Sequence, residues 1–232
     1  MTYKMYLMSI TGLEEECLWQ DAMCLIDSSR RELVHKYKKE KDRMRAIVAG
    51  LLLQAGFLEL DPDESIGEKA AENFYMLDNK AFVNYLKAVS KQKPSVFPIE
   101  LLYGKSIHGK PFWEKEILIE KLSKSEFENK KMWNFNLSHS GDYVVLIISD
   151  VEVGIDIQEP RSEIRFPGGY HAFSRMEAYV KCTGEGYSNG YRTYDECNGC
   201  VPGYEIRSVK MFESYALNVC FAMEKKGKME HL

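Results

Sequence analysis

The sequence predicts a compact α+β protein, and three observations carry that prediction. Strand-like and helix-like stretches interleave along the whole chain, with no fixed-period repeat or low-complexity tract. Hydrophobic residues make up 45% of the chain and charged residues 28%, ordinary values for a globular protein and not those of a disordered or fibrous one. A length of 232 residues allows one or two domains and a sizeable core.

Residues 3–10 (YKMYLMSI) read as an opening strand, and Thr11-Gly12-Leu13-Glu14 is a capping-box pattern that places a helix start there. Ser29 and Glu32 repeat that pattern before a basic helix, RRELVHKYKKEKDR. Met44, Ile47, Val48, Leu51, Leu52 and Ala55 then follow the i, i+3, i+4, i+7 rule of a core-facing helix, with Arg43 and Arg45 on the two borders of the stripe. Either arginine could reach a cleft or snorkel to solvent. Residues 61–93 are polar, with one amphipathic helix over 78–90 capped by Asp78 and ended by Pro94 and Pro98. Strand character returns at 99–103, 133–137, 143–149 and 151–157, and the last two, separated only by Asp150, read as a hairpin. A helix over 172–182, a loop over 183–203 and two closing strands, 205–211 and 215–223, complete the chain.

Charge and cysteine usage narrow the function classes. Lys+Arg 31 against Asp+Glu 35 gives a net charge of −4, so no global basic field points to nucleic acid. The longest apolar run, 46–53, is too short to span a bilayer, and the first residues lack the pattern of a signal peptide. No membrane partner and a cytoplasmic location are therefore expected. Cys17, Cys24, Cys182, Cys197, Cys200 and Cys220 are irregularly spaced and read as free thiols. Cys197 and Cys200 form a CxxC pair, but a zinc site needs about four ligands, and only folding could recruit His171 or Cys182. A turn that carries two thiols is the simpler reading.

Four segments carry chemistry. In VEVGIDIQ, strand alternation puts Val151, Val153, Ile155 and Ile157 on one face and Glu152, Gly154, Asp156 and Gln158 on the other. A carboxylate and an amide oxygen two residues apart suit a hard cation, though an ordinary half-exposed strand has the same pattern. In SRMEAYVK, Glu177 and Lys181 are an i, i+4 pair, either a weak surface ion pair or a metal ligand beside a cation, as phosphate chemistry wants. NLSHS, 136–140, reads as a tight turn whose hydroxyls, imidazole and N–H groups suit phosphate oxygens. His108-Gly109-Lys110-Pro111 adds a lysine beside a turn.

Taken in order, GKP, NLSHSGDYVV, VGIDIQ and SRMEAYVK followed by TGEG resemble the 4′-phosphopantetheinyl transferase superfamily, in its longer, monomeric, surfactin-synthetase-activating type. KDRMR at the start of a helix fits the same type. The matching blocks cover 42–54, 108–111, 136–158 and 173–186. The resemblance implies two similar α+β lobes related by pseudo-two-fold symmetry, here 1–135, with a helix-turn-helix insertion at about 57–107, and 136–232, carrying the metal site. It implies Asp156 and Glu177 as ligands of Mg²⁺, Lys181 on the transferred phosphate, and Arg45, Lys110, Ser138 and His139 on the adenosine phosphates of coenzyme A. It also implies a monomer that moves 4′-phosphopantetheine from coenzyme A to a serine of an acyl or peptidyl carrier protein, releasing adenosine 3′,5′-bisphosphate, with Glu177 as the base.

The chain departs from the family in three places. Gln158 stands where many members carry a third carboxylate, so its amide oxygen would be a weaker metal ligand. The stretch from Asp156 to Glu177 is shorter than usual, in the region where the carrier is expected to meet Arg161 and Arg165. The 57–107 insertion has no counterpart in compact members. The rival expectations are a coenzyme A-binding relative that has lost transfer and a metal-binding interaction domain built on Cys197 and Cys200.

Overall fold

The computed structural model describes residues 1–13, 15–92, 98, 100, 103–114, 134–160, 165–197, 200–211 and 215–223. In chain order the elements are β1 (Tyr3–Ser9), α1 (Glu16–Leu25), α2 (Ser28–Lys36), α3 (Glu40–Phe57), β2 (Gly67–Ala71), β3 (Phe74–Leu77) and α4 (Asn79–Gln92). β4 (Tyr103–Lys105), β5 (Pro111–Trp113), β6 (Asn134–Ser140), β7 (Tyr143–Ser149) and β8 (Val153–Gln158) follow. The chain continues through α5 (Gly169–Thr183), α6 (Tyr187–Glu196), β9 (Tyr204–Val209) and β10 (Ala216–Ala222). This is the α+β fold that the sequence predicts.

Two sheets pack face to face. The larger has the order β2-β3-β1-β7-β6, with β1 parallel to β3 and antiparallel to β7; the smaller has the order β8-β10-β9 and is antiparallel throughout. Between them lie Met5, Leu7, Val145 and Ile147 from the first sheet and Val153, Ile155, Ile157, Leu217, Val219 and Phe221 from the second. Tyr6, Met8, Leu146 and Ile148 point the other way, onto α3 and its neighbours. Burial on both faces is why β1 and β7 read as continuous apolar runs rather than alternating ones. α3 is enclosed in the same way, and all six residues of its expected stripe are buried. Against the outer face of the second sheet lies α5, with Met176, Ala178, Tyr179, Val180 and Cys182 turned inward. No helix among the described residues is long and apolar enough to cross a membrane.

Several local expectations are corrected. The first helix begins at Glu16, because Gly12, with φ of +89°, keeps the chain turning beyond Thr11. Asp27, not Ser29, caps α2, its Oδ1 accepting from Arg30 N at 3.0 Å, and a break at 37–39 divides the expected basic stretch into α2 and α3. Among the described residues, the 57–107 stretch holds the β2–β3 hairpin, α4 and β4, and β3 is a full member of the large sheet. β7 and β8 form no hairpin: β7 already has β1 and β6 on its two edges, so β8 crosses to the second sheet and pairs with β10. Part of the region expected to be loop over 183–203 is α6. Most of the 99–103 strand, and Trp133, lie outside the described residues.

One glycine sets how closely α5 approaches β8. A Cβ on Gly154 would sit 2.2 Å from the Ala178 carbonyl oxygen and 2.3 Å from Cys182 N, both main-chain atoms of α5 that no rotamer change can move. Gly154→Ala is therefore expected to push the helix off the sheet and destabilise the protein by about 1–3 kcal/mol or more. An unchanged melting temperature would show that the helix yields freely.

Candidate active site

β8 presents Asp156 on the face that α5 covers, and α5 presents Glu177 and Lys181 one turn apart above it. Ser174 ties the two elements together, its hydroxyl donating to the Asp156 carbonyl at 3.0 Å. The Asp156 side chain is only 2% exposed, so its charge needs partners, and it has three among the described residues. Oδ1 accepts from Lys181 Nζ at 2.6 Å and from Ser138 Oγ at 3.0 Å, and Oδ2 accepts from Gln158 Nε2 at 3.2 Å.

The NLSHS segment lies on β6, not in a turn, and the turn follows at Gly141-Asp142. Its alternate side chains face the edge of β8 and supply the acceptors that a neighbouring strand would otherwise supply. Asn136 Oδ1 accepts from Ile155 N at 3.1 Å, Ser138 Oγ from Ile157 N at 3.3 Å, and Ser140 Oγ from Glu159 N at 3.0 Å. This side-chain ladder joins the two sheets and fixes the register of the strand that carries Asp156. Ser138 is buried, and its hydroxyl donates to Asp156 and accepts from Lys181 Nζ and Ile157 N. Sequence reasoning places Asn136 and Ser140 in a phosphate-binding turn and does not point to Ser174, although polar residues at 136, 138 and 140 carry the period-two signal of a strand.

Glu177 is half-buried and has no hydrogen-bond partner among the described residues. Burial raises its pKa, the neighbouring Asp156 raises it further, and Lys181 opposes both. Glu177 and Lys181 open into a cavity of about 320 Å³ that His108, Lys110 and Tyr187 also line. Lys110 further lines an adjoining cavity of about 500 Å³, with Glu152 and Cys182. Its ammonium is bound there by the Glu152 carboxylate and the Cys182 carbonyl.

Arg45 takes the role of a clamp between elements: its guanidinium donates to the Gly141 carbonyl, at 2.6 Å from Nη2, and pairs with Asp42 at 3.2 Å. His139, on the opposite face of β6 from Ser138, reaches the surface. Partial burial, then the positive charges of Arg45 and Lys181, lower its pKa, while Asp42 and Asp156 pull the other way. The positive charges of Arg45 and Lys181 thus both act on His139, each offset in part by the carboxylate it pairs with.

The donor set beside it suits a hard divalent cation. Two carboxylates repel one another, as the effect of Asp156 on Glu177 shows, and the Gln158 amide adjoins them. Mg²⁺ is commonly held by one or two carboxylates, with the rest of its shell from water and substrate phosphates. Among the described residues no group of three or more His, Cys, Asp or Glu side chains is placed to hold a metal ion, so Cys197, Cys200, Cys182 and His171 are not brought together.

Comparison with known proteins adds a relative. The chain is 34% identical over 137 residues to the 4′-phosphopantetheinyl transferase psf-1 of Bacillus pumilus, a match that takes in 43% of this chain and 57% of that protein. Over that stretch the chain is similar to a 4′-phosphopantetheinyl transferase. The chain spans little more than half the length of this relative, and no family model matches it. Of the basic pair expected to meet a carrier, Arg165 is exposed and Arg161 lies outside the described residues.

Proposed function

We propose that the protein transfers 4′-phosphopantetheine from coenzyme A to a serine hydroxyl of an acyl or peptidyl carrier protein, acting as a cytoplasmic monomer. The observation that carries this reading is the convergence of Asp156, Glu177 and Lys181 beside a cavity that Lys110 also lines. The carrier serine oxygen attacks the phosphorus bearing the pantetheine arm, the bond to the adenosine 5′-phosphate breaks, and adenosine 3′,5′-bisphosphate leaves. Glu177 takes the serine proton, for which a raised carboxylate pKa is suited. Asp156, Glu177 and the Gln158 amide oxygen would hold Mg²⁺, whose charge neutralises the pyrophosphate. Lys181, Arg45, His139 and Lys110 orient the phosphates and offset their charge.

Incubation with fluorescent coenzyme A, Mg²⁺ and a panel of carrier domains, read by gel, tests this. Labelled carrier is expected. A protein that binds coenzyme A and Mg²⁺ normally yet labels no carrier is the coenzyme A-binding relative instead. Lys110→Ala is expected to weaken coenzyme A binding by about tenfold, and binding of dephospho-coenzyme A by less, because a charge-assisted phosphate contact is worth about 1.5–3 kcal/mol. His139→Ala should lose less at pH 8 and more as the pH falls, since a lowered pKa leaves the imidazole neutral at higher pH. Equal losses for both ligands would show that neither residue reads the 3′-phosphate.

A further inference from the structure

Lys110 is confined while its acidic partner is not. The lysine stem lies over Gly184 at the end of α5, where an added Cβ would come within 3.0 Å of Lys110 Cδ. Its ammonium donates to the Cys182 carbonyl, one of those left open where the helix stops, and pairs with Glu152. The Lys110 side chain is 15% exposed and that of Glu152 57%. The Glu152 main chain is pinned, its carbonyl accepting from Ala222 N at 2.9 Å and from the Cys182 thiol at 3.5 Å. Only the carboxylate is at liberty to turn into solvent.

We propose that Glu152 is a specificity-determining residue: it competes with a ligand phosphate for Lys110 and so limits how strongly the cleft prefers coenzyme A over a form lacking one phosphate. The inference rests on the coenzyme A reading above. A phosphate oxygen that reaches Lys110 has to displace the carboxylate, and it meets the repulsion of that carboxylate on the way in. Ordinary exposed ion pairs have no such consequence. This one does because its lysine is nearly covered and lines both cavities, whereas Glu152 lines only the larger.

Glu152→Gln preserves shape and leaves an amide oxygen for Lys110 while removing the charge. Calorimetric titration of the full chain with coenzyme A and with dephospho-coenzyme A reads the effect. The variant is expected to bind coenzyme A about two- to fivefold more tightly, the scale of a partly exposed ion pair, and dephospho-coenzyme A with a smaller gain. The gain should vanish when Lys110→Ala is combined with it, and shrink at about 0.5 M salt. Unchanged or weaker coenzyme A binding, or an equal gain for both ligands that survives Lys110→Ala, overturns the proposal. A second measurement needs no ligand. Lys110 should react faster with an amine-acylating ester in Glu152→Gln than in the unmutated protein, as mapped by peptide mass. Equal labelling overturns the competition, whereas an unmutated protein that binds neither ligand overturns the coenzyme A reading and leaves the labelling to decide on Glu152.

Discussion

Asp156→Ala is expected to abolish transfer and to cost stability as well. The apolar face of β8 would be untouched, which from sequence alone suggests an intact fold. The structure alters that expectation, because Asp156 is buried and bonded to Lys181, Ser138 and Gln158. Removing one member of such a pair leaves an uncompensated charge and costs about 3–5 kcal/mol, a large part of the roughly 5–15 kcal/mol that holds a typical domain together. Asp156→Asn is the cleaner probe, since it keeps the side-chain shape and one oxygen for Ser138 and Lys181 while losing the charge. Thermal melting should rank the unmutated protein above Asp156→Asn and Asp156→Ala lowest, with both variants inactive in carrier labelling. Near-normal labelling by Asp156→Asn at saturating Mg²⁺ would remove Asp156 from the metal site.

What the sequence disclosed about this site follows from which interactions are local. β8 and α5 were legible because period-two and 3.6-residue patterns are written along each element, and those patterns alone put Asp156 on one strand face and Glu177 with Lys181 on one helix flank. β6 was legible only over its first residues, within the expected 133–137 strand, because Asn136, Ser138 and Ser140 are small polar residues whose usual place is a turn. Their use as surrogate strand acceptors appears only once β8 lies alongside. The β7–β8 hairpin failed for a similar reason, since a short connection at Asp150 fits a hairpin until both edges of β7 are known to be taken. β2 escaped notice because its residues beyond Gly67 are exposed and carry no hydrophobic alternation. The Lys110–Glu152 contact joins residues far apart in the chain, and nothing near either position announces it.

Glu177→Gln is expected to lose transfer by about 10²–10⁴-fold, the usual contribution of a positioned base, without any loss of stability. The second half of that expectation comes from the environment of the carboxylate. Burial and Asp156 both disfavour its charged form, so its pKa in the folded protein lies above the unfolded value. A carboxyl group shifted that way stabilises the fold fully only below its unfolded pKa, and the contribution is lost as the pH rises through the folded pKa. At pH 7–8 the ionised Glu177 is therefore a burden that the uncharged amide removes, and the variant should melt at the same temperature or higher. That difference should shrink as the pH falls through the raised pKa and the native carboxyl takes up its proton. Added Mg²⁺ should reverse the order: it binds the folded unmutated protein and raises its melting temperature, and it does less for the variant, which has lost one ligand. A variant that labels carriers normally would exclude Glu177 as the base, and one that Mg²⁺ stabilises as much as the unmutated protein would exclude it as a metal ligand.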